Sequence, residues 1–189
     1  MKAGWIAAVA WALGACSPPA ATTTQVEAAA PNVCAASVDA QWSRPGSAML
    51  SVNAATRGAN CAEALATLTI RGPDGAPLYF ETYPTAQVMV LAPAQSPAAM
   101  QAALAEWLDQ SNPMIKTSDD LPVWKATDEM PASGEFPFYV AEGMGREQYN
   151  ALRRRNVAVF CFVQGMESET CLALENNRLT KIGAQSFPG

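Results

Sequence analysis

One seven-residue run, Val157 to Val163 (VAVFCFV), constrains the fold of this chain more than any other stretch. Side chains alternate along an extended strand, so its apolar residues fall on both faces. That pattern reads as a strand buried on both sides, hence a central one. Gln164 to Ser168 follows as a five-residue loop, and Thr170 to Glu175 returns. Asn176-Asn177 supplies residues that tolerate positive φ, and Leu179 to Gly183 makes a third strand. If residue 163 faces 169, Cys161 lies directly opposite Cys171. A disulfide spans such a pair, with a favoured Cα separation of about 5.5 Å. Register and cysteine spacing therefore agree independently on a C-terminal three-stranded β-meander.

Upstream, Ala48 to Ala54 alternates with Leu50, Val52 and Ala54 on one face. Leu65 to Arg71 puts Leu68 and Ile70 together, Gly72-Pro73-Asp74-Gly75 turns, and Pro77 to Tyr83 returns with Leu78 and Phe80 two apart. This is a β-hairpin region, to which Val88 to Leu91 adds a strand. A helix then starts with Ser96 as N-cap and Pro97 in first position. Its core face is Met100, Ala103, Leu104, Trp107 and Leu108, and Asn112-Pro113 ends it. Residues 116–137 form a long irregular loop. A shorter helix spans Arg146 to Arg155 with Tyr149 and Leu152 inward. Arg153, Arg154 and Arg155 complement its C-terminal dipole, which accounts for them more simply than an anion site does. With no regular βαβ alternation, the fold class is α+β: antiparallel hairpin region, helix, long loop, short helix and C-terminal meander.

The first sixteen residues read MKAGWIAAVAWALGAC. Lys2 gives a positive start. Ala3 to Ala12 is apolar but for Gly4, too short for a span of about 20 residues and suited to a signal-peptide h-region. Leu13-Gly14-Ala15-Cys16 resembles the lipobox of bacterial lipoproteins, and the resemblance covers these sixteen residues alone. It implies that residues 1–15 are a signal peptide and that Cys16 carries diacylglyceryl and palmitate chains. It also implies that the membrane is a partner through that lipid. Ser17, where Asp would signal retention, implies the outer membrane, facing the periplasm. The alternative is an ordinary secretory signal with an incidental cysteine. Residues 16–33 then form an Ala/Pro/Thr-rich tether with a typical span of roughly 20–25 Å, and residues 34–189 a single domain.

In an exported chain, the even set Cys34, Cys61, Cys161 and Cys171 reads as disulfides. Of three pairings, Cys34–Cys61 and Cys161–Cys171 are favoured by closeness in sequence. Zinc is the rival reading, and neither a C-x-x-C knuckle nor a histidine supports it.

The chain holds no histidine, which excludes Ser-His-Asp and Cys-His catalysis and histidine-ligated metals. A net charge of −5 lacks the basic footprint of a nucleic-acid binder. No sequence feature calls for a cofactor or a metal. The expected function is a non-enzymatic binding or structural module of the cell envelope, with an envelope protein as partner. Asp119 and Asp120 in the long loop, and Glu167 and Glu169 at the hairpin tip, are its contact candidates. The alternative is a hydrolase acting on an envelope substrate through paired carboxylates drawn from Asp119, Asp120, Asp128 and Glu135. Ser118 beside Lys116 is the nearest approach to a Ser-Lys pair.

Overall fold

The computed structural model describes residues 33–109, 115–131 and 136–187. The lipobox, most of the tether, Asn112-Pro113 and Glu135 lie outside them. The described chain folds into two antiparallel four-stranded sheets and two helices, an α+β arrangement ending in a meander.

The first sheet runs in sequence order: β1 (Cys34–Trp42), β2 (Leu50–Gly58), β3 (Leu65–Arg71) and β4 (Pro77–Pro84). Leu50, Val52 and Ala54 are buried together, as their alternation requires, and so are Ala66, Leu68 and Ile70. β1 was not expected as a strand. Its inward positions are Ala36, Val38 and Ala40, and small residues give a faint period. Its free edge is closed by α1 (Pro97–Asp109), where the Gln101 carboxamide imitates a neighbouring strand. Gln101 Nε2 donates to Ser37 O (2.8 Å), and Oε1 accepts from Ser37 N (3.3 Å). A register shift between Ile70 and Arg71 redirects β4. Leu78 and Tyr79 are both half-buried, whereas Phe80 points outward, 65% exposed. The Val88 to Leu91 strand does not form. Leu91 N and Ala92 N both donate to Val88 O (2.9 Å), so the backbone curls and buries Val88 and Leu91 from a turn.

α1 begins as expected, with Ser96 Oγ accepting from Ala99 N (3.2 Å), and buries the five expected residues. The second helix, α2 (Arg146–Arg155), buries Tyr149 and Leu152.

The second sheet has the order β5 (Phe138–Val140), β8 (Arg178–Ser186), β7 (Ser168–Glu175), β6 (Val159–Val163). Cys161 pairs with Cys171, and Val163 with Glu169. β6 is buried on both faces, yet it is an edge strand and not a central one. Its outward backbone groups are met by other elements. Val159 N donates to Lys116 O (2.9 Å), Arg44 Nε donates to Val159 O (3.0 Å), and Trp107 Nε1 donates to Val163 O (2.6 Å). An apolar run can therefore sit at a sheet edge when its ladder groups are satisfied from outside the sheet.

Two cores share this sheet. Phe160 and Phe162 face the first sheet and α1: Trp42 stacks on Phe160 at 6.1 Å, and Phe162 meets Tyr79, Tyr83 and Trp107. Val159, Cys161, Cys171, Ala173 and Ile182 face α2, Leu121 and Phe138. Both disulfides are formed as expected, Cys34–Cys61 at 2.05 Å and Cys161–Cys171 at 2.07 Å. Val159 turns its ladder groups away from β7, so by alternation Cys161–Cys171 is also a non-hydrogen-bonded pair. Its Cα separation of 4.1 Å reflects that closer pairing.

Candidate functional site

The first core reaches the surface in a cleft of about 600 Å³ between the two sheets. Its floor is aliphatic, made by Leu50, Leu78 and Leu174 with Ala158. Four turns form its walls. On one sheet they are the β1–β2 loop (Pro45 to Ala48) and the β3–β4 turn carrying Asp74. On the other they are the α2–β6 junction at Asn156 and the β7–β8 turn at Asn176-Asn177.

Local sequence dictates each wall. Asp74 Oδ1 accepts from Ala76 N (3.0 Å), and Gly75 takes φ 80° to close the hairpin. Asn156 ends α2 in the left-handed conformation (φ 51°). Asn176 and Asn177, at φ 50° and 55°, form the two-residue hairpin turn between paired Glu175 and Arg178. All three asparagine side chains are exposed. A polar rim over an apolar floor is the ordinary make-up of a small-ligand site. β1 leaves its first residue, Cys34, at the other end of the sheet. Its nine residues put about 27 Å between that end and the cleft-side loop.

The carboxylates singled out by sequence lie elsewhere. Asp119 and Asp120 are exposed in one 3-10 turn (Ser118–Asp120) and serve that turn. Asp119 accepts from the Thr117 hydroxyl, and Asp120 Oδ2 accepts from Lys116 N and Thr117 N (2.9 Å each). Desolvation works to raise the Asp120 pKa, but the backbone bonds from Thr117 and Lys116 outweigh it and hold it below the usual carboxylate range. Asp128 Oδ1 accepts from the Thr127 hydroxyl (3.0 Å). Glu167 is exposed at the hairpin tip. Glu169 is buried on the Cys171 face and is not presented there. Cys161, Glu169 and Cys171 cluster within 4.8 Å, but both sulfurs are committed to their disulfide, which leaves one carboxylate as the available ligand.

Ser118 is buried and structural: its hydroxyl donates to Leu152 O (2.8 Å) and accepts from Val157 N (3.0 Å). Arg153 donates to Leu121 O and Asp119 O, and Arg155 pairs with Glu175 at 2.6 Å. Arg153 thus ties α2 to the 3-10 turn, while Arg155 makes an exposed ion pair.

Asp74 and Asn176-Asn177 are turn residues, as their sequence context predicts. Their shared cleft depends on two sheets meeting, and no local pattern encodes that. Comparison of the chain with protein-family models, curated proteins and solved structures finds no match.

Proposed function

We propose that the chain is an envelope lipoprotein, anchored through lipid on Cys16, whose domain binds a partner or ligand in the cleft without converting it. The cleft chemistry carries this reading. An aliphatic floor ringed by carboxamides holds a ligand by shape and hydrogen bonds, and the one carboxylate among the described lining residues, Asp74, has no second acid or base opposite it there. The hydrolase alternative needs such a pair. The tether supports the same reading. A chain entering at Cys34 would leave the cleft at the far end of the first sheet, open to a partner approaching from the side away from the membrane.

The anchor is tested by Cys16→Ser in intact cells. The unsubstituted chain is expected in the membrane fraction and labelled by radioactive palmitate. The variant is expected unlabelled and released with the soluble envelope fraction. Equal membrane association of both, or no label on the unsubstituted chain, would sink the lipoprotein reading.

A further inference from the structure

The turns around the cleft bring three carboxamides to one rim. Asn156, Asn176 and Asn177 occupy left-handed backbone positions, with φ of 51°, 50° and 55°. Asparagine tolerates that region better than most residues with a Cβ, so each turn accounts for its own asparagine. What no single turn accounts for is that all three carboxamides border one cleft. Among the described residues, none of these side chains has a hydrogen-bond partner.

A carboxamide presents a donor and an acceptor side by side, which is the complement of a peptide group. Below the rim, Leu50, Leu78 and Leu174 offer a branched aliphatic surface. No aromatic ring is among the described lining residues, so a flat sugar face has no platform to stack on. Asp74 is the one charged side chain there, and it opposes an acidic ligand.

We propose that the cleft binds an extended polypeptide segment that carries no acidic side chain into it. An aliphatic side chain sits on the leucine floor, and the segment's backbone amides bond the carboxamides of Asn156, Asn176 and Asn177. The proposal rests on the reading of the domain as a binding module and is independent of the lipid anchor.

The probe is an end-blocked Ala-Leu-Ala tripeptide, titrated into the isotope-labelled full chain in detergent while the asparagine side-chain amide signals are followed. A saturable shift of those signals is expected. Asn176→Gly/Asn177→Gly keeps the positive φ and the fold, and is expected to weaken binding by about tenfold or more. End-blocked Ala-Asp-Ala is expected to bind more weakly than the leucine peptide. Absence of a saturable shift, or binding unchanged in a folded glycine double variant, overturns the proposal. So does saturation of the same signals by a neutral disaccharide in place of the peptide. Failure of the Cys16 test with peptide binding intact removes the anchor alone. Failure of peptide binding with Cys16 lipidated removes this proposal alone.

Discussion

Thr56 sits on the inward face of β2 at 4% exposure, and its hydroxyl has no hydrogen-bond partner among the described residues. Its buried counterparts are satisfied. Thr85 Oγ1, for example, donates toward Cys61 O (2.7 Å) and Ala64 O (3.0 Å). A buried hydroxyl loses its water without recompense unless it is bonded, which costs about 1–3 kcal/mol. Valine has nearly the same shape and suits a strand. Thr56→Val is therefore expected to stabilise the domain by about 1 kcal/mol, read as a higher denaturant midpoint at unchanged slope. An unchanged or lower midpoint would show that the hydroxyl is satisfied in solution. At this scale the sequence is least legible. Thr56 and Glu169 look like any polar residue in a strand pattern, and their burial follows from what packs above them. Asn156 looks like any helix-ending asparagine until the opposite wall of its cleft is in place.

Elements were legible where one physical signal dominated. α1 has a capping serine, a proline in first position and a five-residue apolar stripe, and its start and buried face follow from them. The β6–β7 register follows from a two-residue alternation that a disulfide pins. The signal failed where neighbours decide. β1 is written in alanine, Val88 to Leu91 has an apolar run but no strand beside it, and β6 is an edge that Arg44 and Trp107 close from outside the sheet. The two disulfides differ in what they constrain. Cys34–Cys61 spans 27 residues and Cys161–Cys171 spans 10. All four cysteines are buried, so cavity costs on replacement are comparable. The chain-entropy relation then ranks them, at about 3.5 kcal/mol for the longer loop and about 2.7 for the shorter. Replacing Cys34 and Cys61 by alanine is expected to destabilise more than replacing Cys161 and Cys171, by about 1 kcal/mol in guanidinium unfolding. The reverse order would mean that strain or residual structure outweighs loop length.

At the scale of the whole molecule, the second sheet contributes to both cores through β6. Phe160 and Phe162 belong to one core, while Val159 and Cys161 on the same strand belong to the other. Neither core can open without exposing one face of β6. Three tyrosines report on this arrangement. Tyr79 and Tyr83 pack against the first core and hydrogen-bond each other at 3.2 Å. Tyr149 lies in the second core and donates to Pro122 O at 2.9 Å. Burial raises the pKa of all three. The nearby Glu81 charge adds to the rise at Tyr79 and Tyr83, and Arg153 partly opposes it at Tyr149. The sign follows from linkage. Unfolded tyrosine gives up its proton near pH 10, whereas the folded groups hold theirs higher. Their contribution is therefore fully present below about pH 10 and falls as pH rises above it. If the cores are one unit, the three phenols cannot ionise piecemeal. An alkaline titration of a Tyr139→Phe variant, which lacks the exposed fourth tyrosine, followed by ultraviolet absorbance is expected to show the three ionising in a single step, coincident with loss of circular dichroism. Replacing Tyr149 by phenylalanine should lower the amplitude of that step and leave one transition. Two separated steps, with the Tyr149 fraction moving apart from the Tyr79–Tyr83 fraction, would show that the cores open independently despite their shared strand.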